Sequence, residues 1–399
     1  MRGYDEGYRE LEESLGERFR REDPAGSGAS VSPASAEEVA LVAEIANRHG
    51  MPLSLRGAGT VFGPSEPAAG LSVRFEQMKR FAVRRDGEPS VELEPGMPWV
   101  DLEDHLRAEA ESLRVYPTSA PRSTVGGWLA RDGLGVGSYE YGWLSENVES
   151  VEVVLPGGAR RVVEGPDLPL VVGAEGATGI IVGATLKLRE ATRDQPFAAA
   201  FDEPAAPARA ARSIAEERAP LWHLGFAHPS LSGAPEGGYV LFGTHAGGQG
   251  GGIEGALERE ITAQGGRMLA PAETYRVWGT RFFPAGLTGD LPSPATAVVP
   301  VAGLEEALPR LAEQTPDLAL QGSISRGGDV LLLSFRPGDG GRFETPREEE
   351  KEALLRVARE ARGGQYLVGL RRYEVHPRRD DLLRLKEEVD PEGILPAVR

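Results

Sequence analysis

The 399-residue chain is predicted to be an α+β protein with more than one domain. Between about residues 31 and 194, helical runs separate short apolar strands, and near residue 195 the texture shifts to the Pro- and Ala-rich FDEPAAPARAARSIAEERAP. Beyond it, strands such as YVLFGTH and DVLLLSF alternate with helices such as IEGALEREITAQ and GLEEALPRLAEQ, the pattern of helices laid over one face of a sheet. With 40% hydrophobic and 26% charged residues, the chain can fill two or three cores.

Residues 1–30 read as a charged helix followed by the loose PAGSGASVSPAS segment. In the 31–194 unit, Ser35 and Glu38 make a capping box ahead of the amphipathic VALVAEIANRHG, and Gly50 ends that helix. Strands are predicted at Pro52–Leu55, Leu71–Arg74, Ser90–Leu93, Val151–Leu155, Ala159–Val163 and Ile180–Leu188, with LPGGARR as a tight hairpin. A second unit spans 195–347, and the segment 348–399, opening with the helix PREEEKEALLRVARE, is predicted to return to the first.

Composition removes several function classes. A net charge of -17 and a pI near 5.0 oppose nucleic-acid and anionic-lipid binding. The absence of cysteine removes disulfides, thiolate zinc, cysteine-ligated clusters, a cysteine nucleophile and a cysteinyl-flavin bond. Redox chemistry then requires a bound organic cofactor. The polar N-terminus has no signal-peptide core and no apolar run is long enough to span a bilayer, so a soluble, cytoplasmic protein is expected.

The most informative stretch is Pro117–Gly142, PTSAPRSTVGGWLARDGLGVGSYEYG. Gly126 and Gly127 let a ligand approach the backbone, and Ser123 and Thr124 suit a helix start, whose N–H groups favour an anion. The pattern points to a phosphate-bearing cofactor, FAD. A second glycine pattern, Gly250, Gly252 and Gly255 with Glu273 farther on, fits G-x-G-x-x-G but lies in the run GGQGGG without a convincing βαβ frame, and is read as a loop.

RGAGT at Arg56–Thr60, the Ser123–Gly142 stretch and GAEGATGIIVGATLKL together resemble the vanillyl-alcohol oxidase type (PCMH-type) of FAD-binding domain over residues 30–190. Ala58 replaces one glycine of the family's RGGGT, TSAPRSTVGG approaches P-x-S-x-x-x-T-I-G-G, and Asp132 stands for the asparagine of N-x-x-G. The resemblance implies a two-subdomain FAD domain followed by a cap with an antiparallel sheet. It implies cofactor contacts from Arg56, Gly57, Ala58, Gly59 and Thr60; from Thr118, Ser119, Thr124, Gly126, Gly127, Asp132, Gly133 and Tyr141; and from Glu175, Gly176, Gly179, Ile180 and Ile181. The Gly179–Ile181 strand is expected to pass the flavin edge with its amides. A histidine-linked flavin is not expected, since Thr60, Val61 and Phe62 follow the first loop, and a sugar oxidase is disfavoured by the missing H-W-x-K segment.

The remainder is similar to FAD-linked glycolate and D-lactate oxidoreductases, particularly the smaller flavin subunit of bacterial glycolate oxidase, and VDPEGILPAVR resembles their D-P-x-G-I-L-N-P-G-K tail. This implies oxidation of a small 2-hydroxy acid by hydride transfer to the flavin. It also implies flavoprotein and iron–sulfur partner subunits, through which the protein would sit peripherally at a membrane. The alternative is a flavin subunit that transfers electrons or stabilises such a complex without turnover of its own. GSISRGGDVLLLSF lacks the histidines of the metal-binding H-x-G-D-G-N-x-H segment, so no metal is expected, and Gln365 and Tyr366 stand where an active-site histidine belongs. By chemistry alone the proton acceptors are Tyr366, Tyr373 and His376, and the carboxylate clamps Arg281, Arg326, Arg371 and Arg372, with Tyr366, Arg372 and Arg281 preferred. Trp278 is read as core or substrate wall and His245 as a strand-end cap.

Overall fold

Where the sequence places the capping box, the Ser35 hydroxyl accepts the Glu38 amide at 3.3 Å, and the Glu38 carboxylate accepts the Ala34 amide at 2.9 Å, one residue ahead of the cap. The helix Ala36–Arg48 that follows buries Val39, Val42, Ala43, Ile45 and Ala46, and Gly50, at φ 59°, stops it in left-handed geometry. The structure is a computed structural model that describes residues 4–21, 28–59, 70–232, 238–247, 252–282, 294–338, 343–364 and 378–397.

The described residues form three sheets. The first contains β1 (Phe19–Arg21), β2 (Ala29–Val31), β3 (Leu53–Arg56) and β4 (Leu71–Arg74) in the order β1-β2-β4-β3, parallel except for the β1–β2 pair. The N-terminal helix Asp5–Leu15 packs on this unit. Its Tyr8, Leu11 and Leu15 are buried with the Ala36–Arg48 stripe, and the Tyr8 hydroxyl donates to the Gly70 carbonyl at 2.9 Å.

The second sheet is antiparallel: β5 (Phe81–Arg84), β6 (Ser90–Leu93), β7 (Glu111–Leu113), β8 (Val148–Val154), β9 (Arg160–Glu164) and β10 (Ile180–Glu190), ordered β5-β6-β10-β8-β9 with β7 also on β10. The predicted hairpin joins β8 to β9, with Gly158 at φ 82°. β10 serves two cores. Ile180 and Val182 enter the first, and Ile181, Ala184, Leu186 and Leu188 enter the second. A bulge between the Ile181–Val153 and Gly183–Glu152 pairs makes this possible, because one extra residue reverses which face the following side chains take.

The third sheet, also antiparallel, holds β11 (Asp194–Phe201), β12 (Leu221–Ala227), β13 (Tyr239–Ala246), β14 (Arg267–Met268), β15 (Ala295–Pro300), β16 (Ala319–Ile324), β17 (Asp329–Pro337) and β18 (Phe343–Glu344). Its path runs β14-β11-β13-β12-β16-β17-β15, with β18 on β17. One face carries the apolar core shared with helices Ala206–Glu216, Gly252–Ala263, Val301–Gln314 and Glu348–Glu360. Ala198, Val240 and Phe242 on the other face meet Val277 of helix Pro271–Gly279. Alternation along the strands thus divides Leu224 and Phe226 of β12 from His223, and Leu320 and Ile324 of β16 from Gln321.

The segment after residue 347 divides, in contrast to the sequence reading. Leu354, Val357 and Ala358 of helix Glu348–Glu360 are buried in the core of the third sheet, where the helix stripe completes an apolar layer. Helix Arg379–Val389 instead sets Leu382 against Leu170, Ala174 and Ala177, and Ile394 and Leu395 enter the first core. Asp390 makes the turn between them: its carboxylate accepts the Ile394 and Leu395 amides at 2.9 Å each, and the Leu53 amide donates to the Ile394 carbonyl at 2.7 Å. The D-P-x-G-I-L pattern is therefore a clasp on β3. No described helix is long and apolar enough to cross a membrane.

Candidate functional site

Three glycine-bearing segments distant in sequence meet at the end of β3. A methyl group on Gly57 would lie 2.5 Å from Thr124 Oγ1 and 3.5 Å from Gly127 Cα, and one on Gly176 would lie 2.6 Å from Leu55 Cδ1. The Glu175 amide donates to Ala130 at 2.7 Å and the Gly173 amide to Leu129 at 2.8 Å, which docks the third segment on the helix Val125–Leu129. Glu175 and Gly176 are both left-handed, at φ 52° and 78°. The three motifs thus form one cradle.

Inside it the two glycines of TVGG have different roles. The Gly126 amide donates to the Pro95 carbonyl at 2.8 Å and its missing Cβ makes room for Pro95, so Gly126 packs the helix and does not face the cradle. The Val125 amide is also taken, by Met97 at 2.9 Å. Gly127 faces Gly57, beside Thr124 Oγ1, a buried hydroxyl with no hydrogen-bond partner. A buried hydroxyl left unpaired costs about 1–3 kcal/mol, and this one lies where two glycines open the backbone. Ser119 and Ser123 close the preceding turn through a 3.1 Å hydroxyl–hydroxyl bond, with Thr118 buried beside them. These residues fit a phosphate-bearing cofactor. Thr124→Val is expected to leave thermal stability of the empty chain unchanged or raised, yet to weaken FAD binding about tenfold. Differential scanning fluorimetry and an FAD titration would show both effects, and an unchanged affinity would remove Thr124 from the site.

Other predicted contacts change. Asp132, at φ 59°, gives its carboxylate to the Gly133 amide (2.8 Å), the Ser145 amide (2.9 Å) and the Ser145 hydroxyl (2.7 Å). All three are donors, so an acceptor-only carboxylate suits the position, and Asp132 with Gly133 shapes the loop from within. Ile180 and Ile181 pair with Val154 and Val153 in the β8 ladder and bury their side chains in the two cores, while Gly179 packs on Val153. Their register commits them to the sheet. Tyr141 is half-buried under the Arg114 guanidinium, 5.2 Å from its ring centre. Ala58 and Gly59 are exposed at the β3 end, with Arg56 at the strand terminus. Thr60, Val61, Phe62, Gln365, Tyr366, Arg371, Arg372, Tyr373 and His376 lie outside the described residues.

Of the candidate clamps, Arg326 is exposed in the β16–β17 turn, where its guanidinium sits over Tyr139 and reaches the Ala219 carbonyl. Arg281 is placed differently. It lines a cavity of about 450 Å³ with Tyr116, Trp222, Trp278 and Phe282, and Tyr116 directly precedes the Pro117–Gly142 stretch. The guanidinium lies 4.3 Å from the Trp278 ring and 4.0 Å from Phe282 and donates to the Trp278 carbonyl at 2.8 Å. Its Nε is buried without a partner, and among the described residues no carboxylate lies within ion-pair distance of it. Arg107, on the same wall, is already paired with Glu103 and Asp194 at 2.6 Å each.

Behind Arg281 stand groups that the sequence reading did not select. His223 is fully buried, its ring 5.7 Å from both Phe242 and Trp278. Burial first, and then the Arg281 charge, pull its pKa down to about 3, while a hydrogen bond to the Gly135 carbonyl opposes them. His223 is thus neutral, with Nδ1 unpartnered. Burial pushes the Tyr116 phenol up, opposed by Arg281, so it remains a donor. Gln321 donates Nε2 to the Thr280 and Arg281 carbonyls at 3.3 Å each, leaving a buried Oε1 unpartnered. The available signal was a polar residue within each all-buried strand, LWHLGFA and ALQGSI. His245 bonds the Ala246 carbonyl near the end of β13, and Glu273 caps the helix Pro271–Gly279. Among the described residues no group of three or more His, Asp or Glu is placed to hold a metal.

The glycine-walled cradle and the antiparallel cap sheet make a fold shared with solved structures. The alkyldihydroxyacetonephosphate synthase structure superposes with a TM-score of 0.74 at 18% identity, covering 98% of this chain and 84% of that one. Residues 28–164 match the FAD_binding_4 family, an FAD binding domain, and FAD is the cofactor such a domain takes. Over 171 residues the chain is 31% identical to the mitochondrial D-lactate dehydrogenase (cytochrome) of Arabidopsis thaliana, across 40% of this chain and 30% of that protein. Over another 171-residue alignment it is 28% identical to the glycolate oxidase subunit GlcD of Bacillus subtilis, across 40% and 36%. The alignments span about a third of each of these two relatives.

Proposed function

We propose that the chain is an FAD-dependent oxidoreductase that oxidises a small 2-hydroxy acid of the glycolate or D-lactate kind. The observation that carries this reading is the meeting of Gly57, Thr124 and Gly127 in one cradle, with the half-buried cation Arg281 on the cavity that follows it. The names of the two curated relatives supply the acid class. Gly57, Thr124 and Gly127 would hold the cofactor's phosphates, and bound FAD supplies a hydride acceptor. The chain itself must hold the substrate carboxylate, take its hydroxyl proton and keep water out. Arg281 supports the first task and the Trp222, Trp278 and Phe282 walls the last. FAD is held without a covalent bond in this reading, and acid precipitation should release it intact.

The test is the visible spectrum of the purified chain under nitrogen. Bleaching of its flavin band by glycolate or D-lactate is expected. A flavin band that stays unbleached under both acids would favour the second reading, an accessory flavin subunit of a multi-subunit oxidase, which the subunit status of the Bacillus subtilis relative supports. A chain that takes up no FAD would refute both.

A further inference from the structure

Three buried polar atoms without partners, His223 Nδ1, Arg281 Nε and Gln321 Oε1, lie on the side of the cap sheet that packs on helix Pro271–Gly279. β12 and β16 are neighbours, with Ala227 opposite Gln321, and the Gln321 amide pins the Thr280–Arg281 backbone across this face. Each unpaired buried atom is costly, and native proteins leave few of them. Their chemistry is complementary to one class of ligand: a cation for a carboxylate, and lone pairs on nitrogen and oxygen for hydroxyl hydrogens.

We propose that His223, Arg281 and Gln321 form the substrate site, Arg281 holding the carboxylate of the 2-hydroxy acid and His223 Nδ1 accepting its α-hydroxyl proton. The inference rests on the oxidoreductase reading above. The neutral ring has one lone pair, and the role proposed for the unpartnered Nδ1 is that of the Nε2–H tautomer. In the reaction the substrate O–H bond would break toward Nδ1 and the Cα–H bond would break with its electron pair as the carbon–oxygen double bond forms, bound FAD supplying the hydride acceptor; the imidazolium would then return its proton to solvent. Binding an anion at Arg281 offsets the cation that suppresses protonation of His223, so the ring becomes a stronger base once substrate is present. Gln321 Oε1 supplies a second acceptor and, through its amide, positions Arg281.

The test uses the FAD-loaded chain with its flavin already reduced by dithionite, so that no turnover accompanies binding. Calorimetry compares D-lactate with propanoate and glycolate with acetate, pairs that differ only in the hydroxyl. Wild type should prefer each hydroxy acid about tenfold. His223→Phe should abolish that preference, and His223→Asn, which can restore an acceptor near Nδ1, should recover part of it. Arg281→Met should weaken both members of each pair about tenfold or more, with Arg281→Lys intermediate. The flavin band and melting temperature identify variants that remain folded. A preference that survives His223→Phe, or carboxylate binding indifferent to Arg281→Met, overturns the assignment. A wild-type chain that holds FAD yet ignores the hydroxyl overturns it while the cofactor reading stands, and a chain without FAD overturns both.

Discussion

Gly57→Val is expected to strip the chain of FAD while leaving the cap sheet folded. A β-carbon at this position would lie 2.5 Å from Thr124 Oγ1, and a second branch would fill the space toward Gly127, whose Cα and amide nitrogen are 3.5 Å and 3.8 Å from that β-carbon. Thr124 can rotate away, but the backbone at Gly127 cannot without moving the helix Val125–Leu129, held by the Val125 and Gly126 bonds to Met97 and Pro95. Overpacking of this kind costs about 1–3 kcal/mol. With the lost approach to the Gly127 amide, it should weaken FAD binding on the order of a hundredfold. Ala58→Gly is the matched control, since Ala58 is exposed and its methyl meets no such wall. The ratio of flavin to protein absorbance after desalting is the readout, with circular dichroism to confirm the sheets. A valine variant that keeps its full flavin complement would mean that phosphate does not lie between these two loops.

The second large effect is on acid stability. His223 binds a proton in the folded chain only near pH 3, against an ordinary value of 6.5, so unfolding takes up a proton throughout that interval. Stability from this group is therefore complete above pH 6.5 and is lost as the pH falls toward 3. A single group contributes at most about 1.4 kcal/mol per pH unit. His223→Phe should flatten the dependence of unfolding free energy on pH by up to that slope. Arg281→Met should flatten it less, because desolvation is the larger cause and the Arg281 charge the smaller. Urea unfolding at several pH values between 4 and 7 measures this, and the difference between wild type and variant removes the common contribution of the many surface carboxylates. Identical slopes would show that His223 is solvated or paired in solution.

Much of the fold was legible because it is written locally. Leu71–Arg74 and Ser90–Leu93 lie where the apolar runs and flanking breakers put them, and Gly50 and Gly158 stand where a helix must stop and a hairpin must turn. That the three glycine motifs matter was also legible, since glycine is the one residue that permits the contacts seen at Gly57 and Gly176. What was hidden depends on partners far along the chain. Gly126 and Gly127 look alike in sequence, and only Pro95 distinguishes packing from ligand contact. The role of Asp132 is set by Ser145, and the destination of the β10 side chains by a bulge without a sequence mark. His223 and Gln321 become a pair with Arg281 only when two strands and a helix end converge. Interior polar residues of a strand are hard to interpret until the opposing layer is known.

The clasp at Asp390 sets an order of events during refolding. β3 carries the first glycine loop of the cradle at its end, and its outer edge is tied by the Leu53 amide to the Ile394 carbonyl, far along the chain. The third sheet closes largely between neighbouring segments. Contacts between distant parts of a chain form late, since the loop they close must first be drawn together. The refolding chain therefore has its roof before its floor is secured, and the cradle becomes fit to take the flavin only when the clasp has closed.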